Sequence, residues 1–231
     1  MILEVRAVPP FMKNGFVVGC ERTHEAIVID PGDEVDELIA AVGAFDLQVQ
    51  HILLTHAHID HITGVAAAKE AFDVPVRLHA EDLFLYDRVV EQGAMFGIAV
   101  QPQPKVDAFY DMTPIQFGGY EVQVHHTPGH CPGGVCLEVR NLGAGEQGGG
   151  GQRDSGRGAH LFVGDTLFAG SIGRTDLPGG NYDVLMRSIT GVILPLGDEA
   201  IVHPGHGPDT TVLRERTTNP FLVEYLASRQ R

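Results

Sequence analysis

Thr55-His56-Ala57-His58-Ile59-Asp60-His61 places three imidazoles and a carboxylate within six residues of one another. His56 and His58 are two apart, so on an extended segment they share a face and can grip one cation. Asp60 and His61 follow where the chain should turn into a helix, which directs them towards a second ion nearby. Three further candidates stand in turns beside glycines: His130 in Thr127-Pro128-Gly129-His130, Asp165 in Gly164-Asp165-Thr166, and His206 in Pro204-Gly205-His206-Gly207. Taken singly, each of these is an ordinary turn or surface residue. Seven imidazole and carboxylate donors together exceed what one tetrahedral ion takes and suit two ions that share a carboxylate.

Outward from that stretch the chain reads as alternating strands and helices. Ile2 to Val8, Phe16 to Cys20 and Ala26 to Asp30 are short apolar or β-branched runs, the last stopped by Asp30-Pro31-Gly32. Glu34 to Val42 has helical spacing, and Gln50 to Thr55 is a strand that delivers the ligand cluster at its C-terminal end. Helices are expected over His61 to Phe72 and Glu81 to Gln92, with a strand at Val76 to His79 between them. In the second half, Gly118-Gly119 turns a hairpin between Ile115 to Phe117 and Tyr120 to His126. Strands follow at Val135 to Arg140, His160 to Gly164 and Ala200 to His203. Helices follow at Tyr182 to Ile193 and Leu213 to Leu226, the latter broken at Pro220. The grammar predicts an α/β protein of two sheets face to face with helices outside, in a single domain over residues 1–231.

The stretch from Gly143 to Gly158 holds eight glycines and almost nothing apolar. No helix with Lys-Ser or Lys-Thr follows it, so it reads as a flexible hairpin insertion rather than a phosphate-cradling loop. The net charge of -14 argues against polyanionic partners, nucleic acid and anionic membrane alike. Cys20, Cys131 and Cys136 form no CxxC pair and no even framework, and no segment reads as a signal or a span. A cytoplasmic setting is expected from both. Cys131 reads as small packing beside His130. His24, His51, His79, His125, His126, His160 and His203 lack ligand-like flanks, with supporting roles open for His126 and His203.

With these motifs in this order from Asp30-Pro31-Gly32 to His206, the chain resembles the metallo-β-lactamase superfamily. The resemblance implies an αββα sandwich of two mixed β-sheets, with helices on the outer faces and a dinuclear site at one edge. It implies His56, His58 and His130 on the first ion, Asp60, His61 and His206 on the second, and Asp165 bridging. The ions would be two divalent cations, zinc in the first instance, with iron or manganese as alternatives.

The runs Gly164-Asp165-Thr166-Leu167-Phe168, Gly173-Arg174-Thr175-Asp176, Leu194-Pro195-Leu196-Gly197-Asp198 and Asn219-Pro220-Phe221 are similar to the glyoxalase II branch. More narrowly, they look like its small single-domain, type I hydroxyacylglutathione hydrolase-like members. Hydrolysis of a thioester such as S-D-lactoylglutathione by a metal-bound hydroxide is then expected, with Asp60 and Asp165 orienting that hydroxide. The chain is expected to lack the C-terminal helical glutathione-binding domain of longer relatives. In those relatives a Lys and a Tyr also hold glutathione; here Arg174 stands in the Lys-like place and Asp176 in the Tyr-like one. Arg174 is thus a candidate for the substrate carboxylate and, equally, for an ion pair with Asp176. Partners are a small acyl-thioester, in particular a glutathione conjugate, and neither nucleic acid nor membrane.

The alternative comes from a second resemblance: the chain is similar over the same motifs to the mononuclear iron persulfide dioxygenases, which implies one iron held by His56, His130 and Asp165, and imidazole and carboxylate suit iron as well as zinc. A lactonase or another metal-dependent hydrolase ranks below it. No Gly-x-Ser-x-Gly elbow supports a serine hydrolase. A nuclease would need a basic surface, and an electron-transfer di-iron protein would carry Glu in place of His58.

Overall fold

Short runs of apolar, mostly β-branched residues build the first sheet, and those at Gly15–Gly19 and Glu25–Ile29 are buried on both faces. The computed structural model describes residues 1–111, 113–142 and 158–229. It divides into two compact units, Met1–Thr113 and Pro114–Arg231. Most of the Gly-rich segment, residues 143–157, therefore lies outside the described residues.

In the first unit β1 (Ile2–Arg6), β2 (Gly15–Gly19), β3 (Glu25–Ile29), β4 (Gln48–Leu53), β5 (Val76–Leu78) and β6 (Ala108–Phe109) lie side by side in chain order. The first three pair antiparallel, whereas β3 to β6 pair in parallel. Val17, Val18, Ile27 and Val28 are wholly buried, and each such side chain contributes about 1.5–3 kcal/mol by leaving water. Parallel pairing needs crossovers. One is α1 (Val35–Ala44), which buries Val35, Leu38, Ala41 and Val42 at helical spacing against β1 and β2.

The second unit carries β7 (Ile115–Phe117), β8 (Tyr120–His126), β9 (Val135–Asn141), β10 (His160–Gly164), β13 (Ile201–Pro204) and β14 (Thr210–Thr211) in the order β14-β13-β10-β9-β8-β7. Only β10 and β13 are parallel. A separate two-stranded ribbon pairs β11 (Leu167–Phe168) with β12 (Ser171–Ile172). Among the described residues the α-helices of this unit are α6 (Tyr182–Ser188), α7 (Val212–Thr218) and α8 (Pro220–Ser228). Leu161, Val163, Leu185, Met186, Val202 and Leu222 form the centre of its core. The expected α/β class, with two mixed sheets and helices, is what the structure has.

Three helices expected as single rods are divided. The one expected over His61 to Phe72 starts earlier, as α2 (Ile59–Ile62), and resumes as α3 (Val65–Phe72). At the break, a Cβ on Gly64 would overlap the Gly32 carbonyl and Val35, so the chain passes close to α1 only as glycine. The Glu81 to Gln92 helix is a 3-10 turn, Ala80–Asp82, followed by α4 (Leu83–Tyr86) and α5 (Val89–Phe96). Tyr182 to Ile193 begins as α6 and closes in a π turn, Ile189–Ile193. The pairs β6, β11, β12 and β14 are two residues each, too short to show a period of two. Among the described residues no helix is long and apolar enough to cross a membrane.

Candidate metal centre

Parallel pairing brings strand C-termini to the same end, which puts Asp30, after β3, beside the ligand loop after β4, and Asp165, after β10, beside His206, after β13. In the first unit the Asp30 N–H donates to the Leu53 carbonyl at 3.0 Å, so the ends of β3 and β4 are held together. Asp30 takes φ of 49°, a left-handed conformation that Asp tolerates better than most side chains. Its carboxylate, 1% exposed, then reaches across to the ligand loop. Oδ1 accepts the Thr55 N–H at 2.6 Å, while Oδ2 accepts the Thr55 hydroxyl at 2.5 Å and the His61 Nδ1–H at 2.9 Å.

The loop is also held from its other side. The Ala57 N–H donates to Asp82 Oδ2 at 3.1 Å. Gln92, on α5, accepts the Ile59 N–H at 3.0 Å and donates to the Ala57 carbonyl at 3.0 Å, bracketing His58. Behind Asp30 lies a buried ion pair. Lys13 Nζ donates to the Asp30 carbonyl and to Glu34 Oε1, and Glu34 also accepts the Gly32 N–H at 2.9 Å.

The result is a tight cluster. The His56 ring lies 4.9 Å from that of His58 and 4.0 Å from that of His61, and His61 Nε2 is 3.7 Å from Asp60 Oδ2. Asp30, His56 and His61 could also be read as a ligand trio from proximity alone. The Asp30 oxygens are committed to Thr55 and His61, so Asp30 orients His61 rather than joining it.

In the second unit His130 follows β8 in a turn clamped by α6. The Asn181 N–H donates to the Gly129 carbonyl at 2.7 Å, and the Ser188 hydroxyl to the Pro128 carbonyl at 2.7 Å. Gly129 has φ of 135°, and a Cβ there would overlap the Leu185 backbone, so this approach requires glycine. Asp165 and His206 leave the ends of the parallel strands β10 and β13, with the Gly205 N–H donating to the Gly164 carbonyl at 2.8 Å. Asp165 Oδ2 lies 3.7 Å from His130 Nε2 and 3.5 Å from His206 Nε2.

The donor chemistry fits divalent cations. With Nδ1 of His61 donating to Asp30 and Nδ1 of His130 donating to the Arg174 carbonyl at 2.8 Å, the neutral rings carry their lone pairs on Nε2. Two ligands of one tetrahedral zinc, at bond lengths of about 2.1 Å, stand about 3.4 Å apart. The Nε2-to-carboxylate spacings of 3.5–3.7 Å at Asp60 and Asp165 match that value. All seven expected donors thus fall into two local groups, His56, His58, Asp60 and His61 in one unit and His130, Asp165 and His206 in the other.

Arg174 is engaged elsewhere. Its guanidinium, 57% exposed, makes two 2.7 Å bonds to Asp176. That hydrogen-bonded partner holds the Asp176 carboxyl down to about 2. Of the two readings of Arg174, the ion pair is the geometry seen. Asp30, Gln92 and Asp82 were not expected at the site. Asp30 was visible only as part of a turn, and Gln92 and Asp82 carry no local pattern.

Comparison with known proteins adds the family context. A family model described as the metallo-beta-lactamase superfamily matches residues 8–144. Hydroxyacylglutathione hydrolase GloC of Haemophilus influenzae is 34% identical over 231 residues, covering 96% of this chain and 98% of the relative. Among solved structures, BLEG-1 B3 metallo-beta-lactamase superposes with a TM-score of 0.82 at 34% identity, covering 96% of this chain and 99% of the other. TTHA1623 in a di-iron-bound form superposes with a TM-score of 0.79 at 38% identity, covering 95% of this chain and 100% of the other.

Proposed function

Since the chain belongs to the metallo-β-lactamase superfamily, a group of metal-dependent hydrolases, we propose that it is a dinuclear thioesterase acting on acylglutathione-type substrates. In this reading His56, His58 and His130 would hold one divalent ion, Asp60, His61 and His206 would hold the second, and Asp165 would serve both. The supporting observation is Asp165 Oδ2, which has the Nε2 of His130 at 3.7 Å and that of His206 at 3.5 Å, so one carboxylate could serve the ions that these two rings would hold. The near full-length likeness to GloC favours a thioester over the lactam suggested by BLEG-1. Zinc is the proposed metal; the di-iron form of TTHA1623 keeps iron in view. Cys20, Cys131 and Cys136 form no disulfide, which suits the proposed cytoplasmic setting.

Bound divalent ions would supply Lewis acidity, polarising the acyl carbonyl and lowering the pKa of water at the site. The protein's own part is orientation. Asp60 and Asp165 are each 13% exposed, open enough to accept a hydrogen bond from the attacking water and aim its lone pair at the acyl carbon. Asp30 and the Arg174 carbonyl fix the rings of His61 and His130, so these donors need no rearrangement when substrate enters. Arg174, paired with Asp176, has no assigned step.

The test is elemental analysis of the purified full-length protein together with thiol release from S-D-lactoylglutathione. Two ions per chain and thiol release are expected. A single iron with oxygen uptake on glutathione persulfide, or turnover confined to lactams or lactones, would overturn the assignment.

A further inference from the structure

The turns that carry Asp165 and His206 share a buried anchor at their far ends. Glu215, on α7, has 0% exposure, and its carboxylate accepts three hydrogen bonds. Oε2 accepts the Gly170 N–H and the Asn219 side-chain amide, each at 2.8 Å, and Oε1 accepts the Thr210 hydroxyl at 2.6 Å. Gly170 is the tip of the β11–β12 ribbon, which begins just after Asp165. Thr210 opens β14, just after the His206 turn. Asn219 strengthens the ribbon arm by donating to the Ser171 carbonyl at 2.9 Å, while its Oδ1 caps α8 through the Phe221 N–H. The Asn219-Pro220-Phe221 motif thereby acquires a structural purpose.

Burying a carboxylate costs several kcal/mol in desolvation, and well-packed apolar residues commonly serve stability as well or better. All three donors here are neutral. What this arrangement accomplishes beyond packing is to tie the ribbon and the β14 turn to one side chain. The Gly205 N–H to Gly164 carbonyl bond joins the same two turns at their bases. Each turn is therefore fixed at two points, and between those points Asp165 Oδ2 and His206 Nε2 stand 3.5 Å apart.

We propose that Glu215 is a positioning residue for the metal centre, clamping the Asp165 and His206 turns at the spacing that one cation requires. This rests on reading Asp165 and His206 as ligands. The clamp works through hydrogen-bond geometry and not through charge. In Glu215→Gln the amide oxygen takes over the Gly170 and Asn219 bonds. The new NH2 faces the Thr210 hydroxyl, which can turn to accept. Glu215→Ala removes all three bonds.

The experiment titrates Zn2+ into chelator-stripped full-length protein against a chromophoric competitor, with thermal melting of the same stripped samples. Glu215→Ala should weaken the more weakly held ion by about 10–100-fold, and Glu215→Gln should stay within about threefold of the wild type. Thr210→Val, which loses only the His206 arm, should fall between them. It carries the test alone if Glu215→Ala does not fold. Unchanged Zn2+ affinity in Glu215→Ala or Thr210→Val, whatever the melting shift, makes the contact structural only and overturns the clamp. A Glu215→Gln protein as weak as Glu215→Ala would assign the effect to charge and overturn it too. A wild type that binds no Zn2+ defeats the ligand reading itself, and the clamp with it.

Discussion

Substituting Asp30 by Asn should separate metal binding from stability. The side chain keeps its shape, and Asn accepts the left-handed φ of 49°. Its Oδ1 still accepts the Thr55 N–H, and the Thr55 hydroxyl can rotate to accept from the new NH2. The His61 contact turns unfavourable, because the NH2 now faces Nδ1–H where Oδ2 had accepted its proton. Losing one charge-assisted bond costs about 1.5–3 kcal/mol, an upper limit here because the ring can change tautomer and accept. That change of tautomer places the proton on Nε2, the atom needed for a cation. Asp30→Asn should therefore lose no more than about 3 kcal/mol in urea unfolding of the stripped protein. Its Zn2+ affinity should fall by about 10–100-fold. Asp30→Ala should lose about 4 kcal/mol, from at least two buried bonds and about 1 kcal/mol of left-handed backbone strain. An Asp30→Asn protein that binds Zn2+ like the wild type would refute the orienting role of Asp30.

Lys13→Met leaves Glu34 buried without its cation and should cost about 3–5 kcal/mol in urea unfolding, whereas Lys13→Met with Glu34→Gln should recover a large part of the loss. If the two losses simply add, the pair is not coupled. His160 gives a pH dependence. Burial, and secondly the His203 imidazole 2.8 Å away, push it down to about 4. Between pH 6.5 and 4 the unfolded chain then holds a proton that the folded chain has released, so this stabilising contribution is full above pH 6.5 and fades as pH falls to 4. Thermal melting across that window should show a shallower decline in His160→Gln than in the wild type; parallel curves would rule the effect out.

The sequence made most of the donor set legible because its cluster is local. His56, His58, Asp60 and His61 sit on consecutive turns of chain, and each later donor stands beside a glycine. What holds the donors was not legible. Asp30 acts through a left-handed backbone and a partner in another strand, and Gln92 through peptide groups that every residue has. Glu215 looks like any acidic residue of an exposed helix until its partners at Gly170 and Thr210 are placed around it. The sheets were read well wherever strands were long enough to alternate or to be wholly apolar. The break between α2 and α3 was not, because Gly64 is imposed by contact with Gly32 and Val35, far from it in the chain.

Gln92 has a consequence for how such a chain can change. One side chain brackets the peptides around His58, while Met95 and Phe96 on the same helix are exposed and the Phe96 ring stands edge-on to that of Phe11 at 5.9 Å. Surface drift on α5 is thus not neutral by default: a substitution there that rotates the helix would reach a donor through a lever one residue long. For directed evolution, α5 can be varied freely on its outer face only while Gln92 stays anchored, which makes position 92 the one to freeze when a library is drawn.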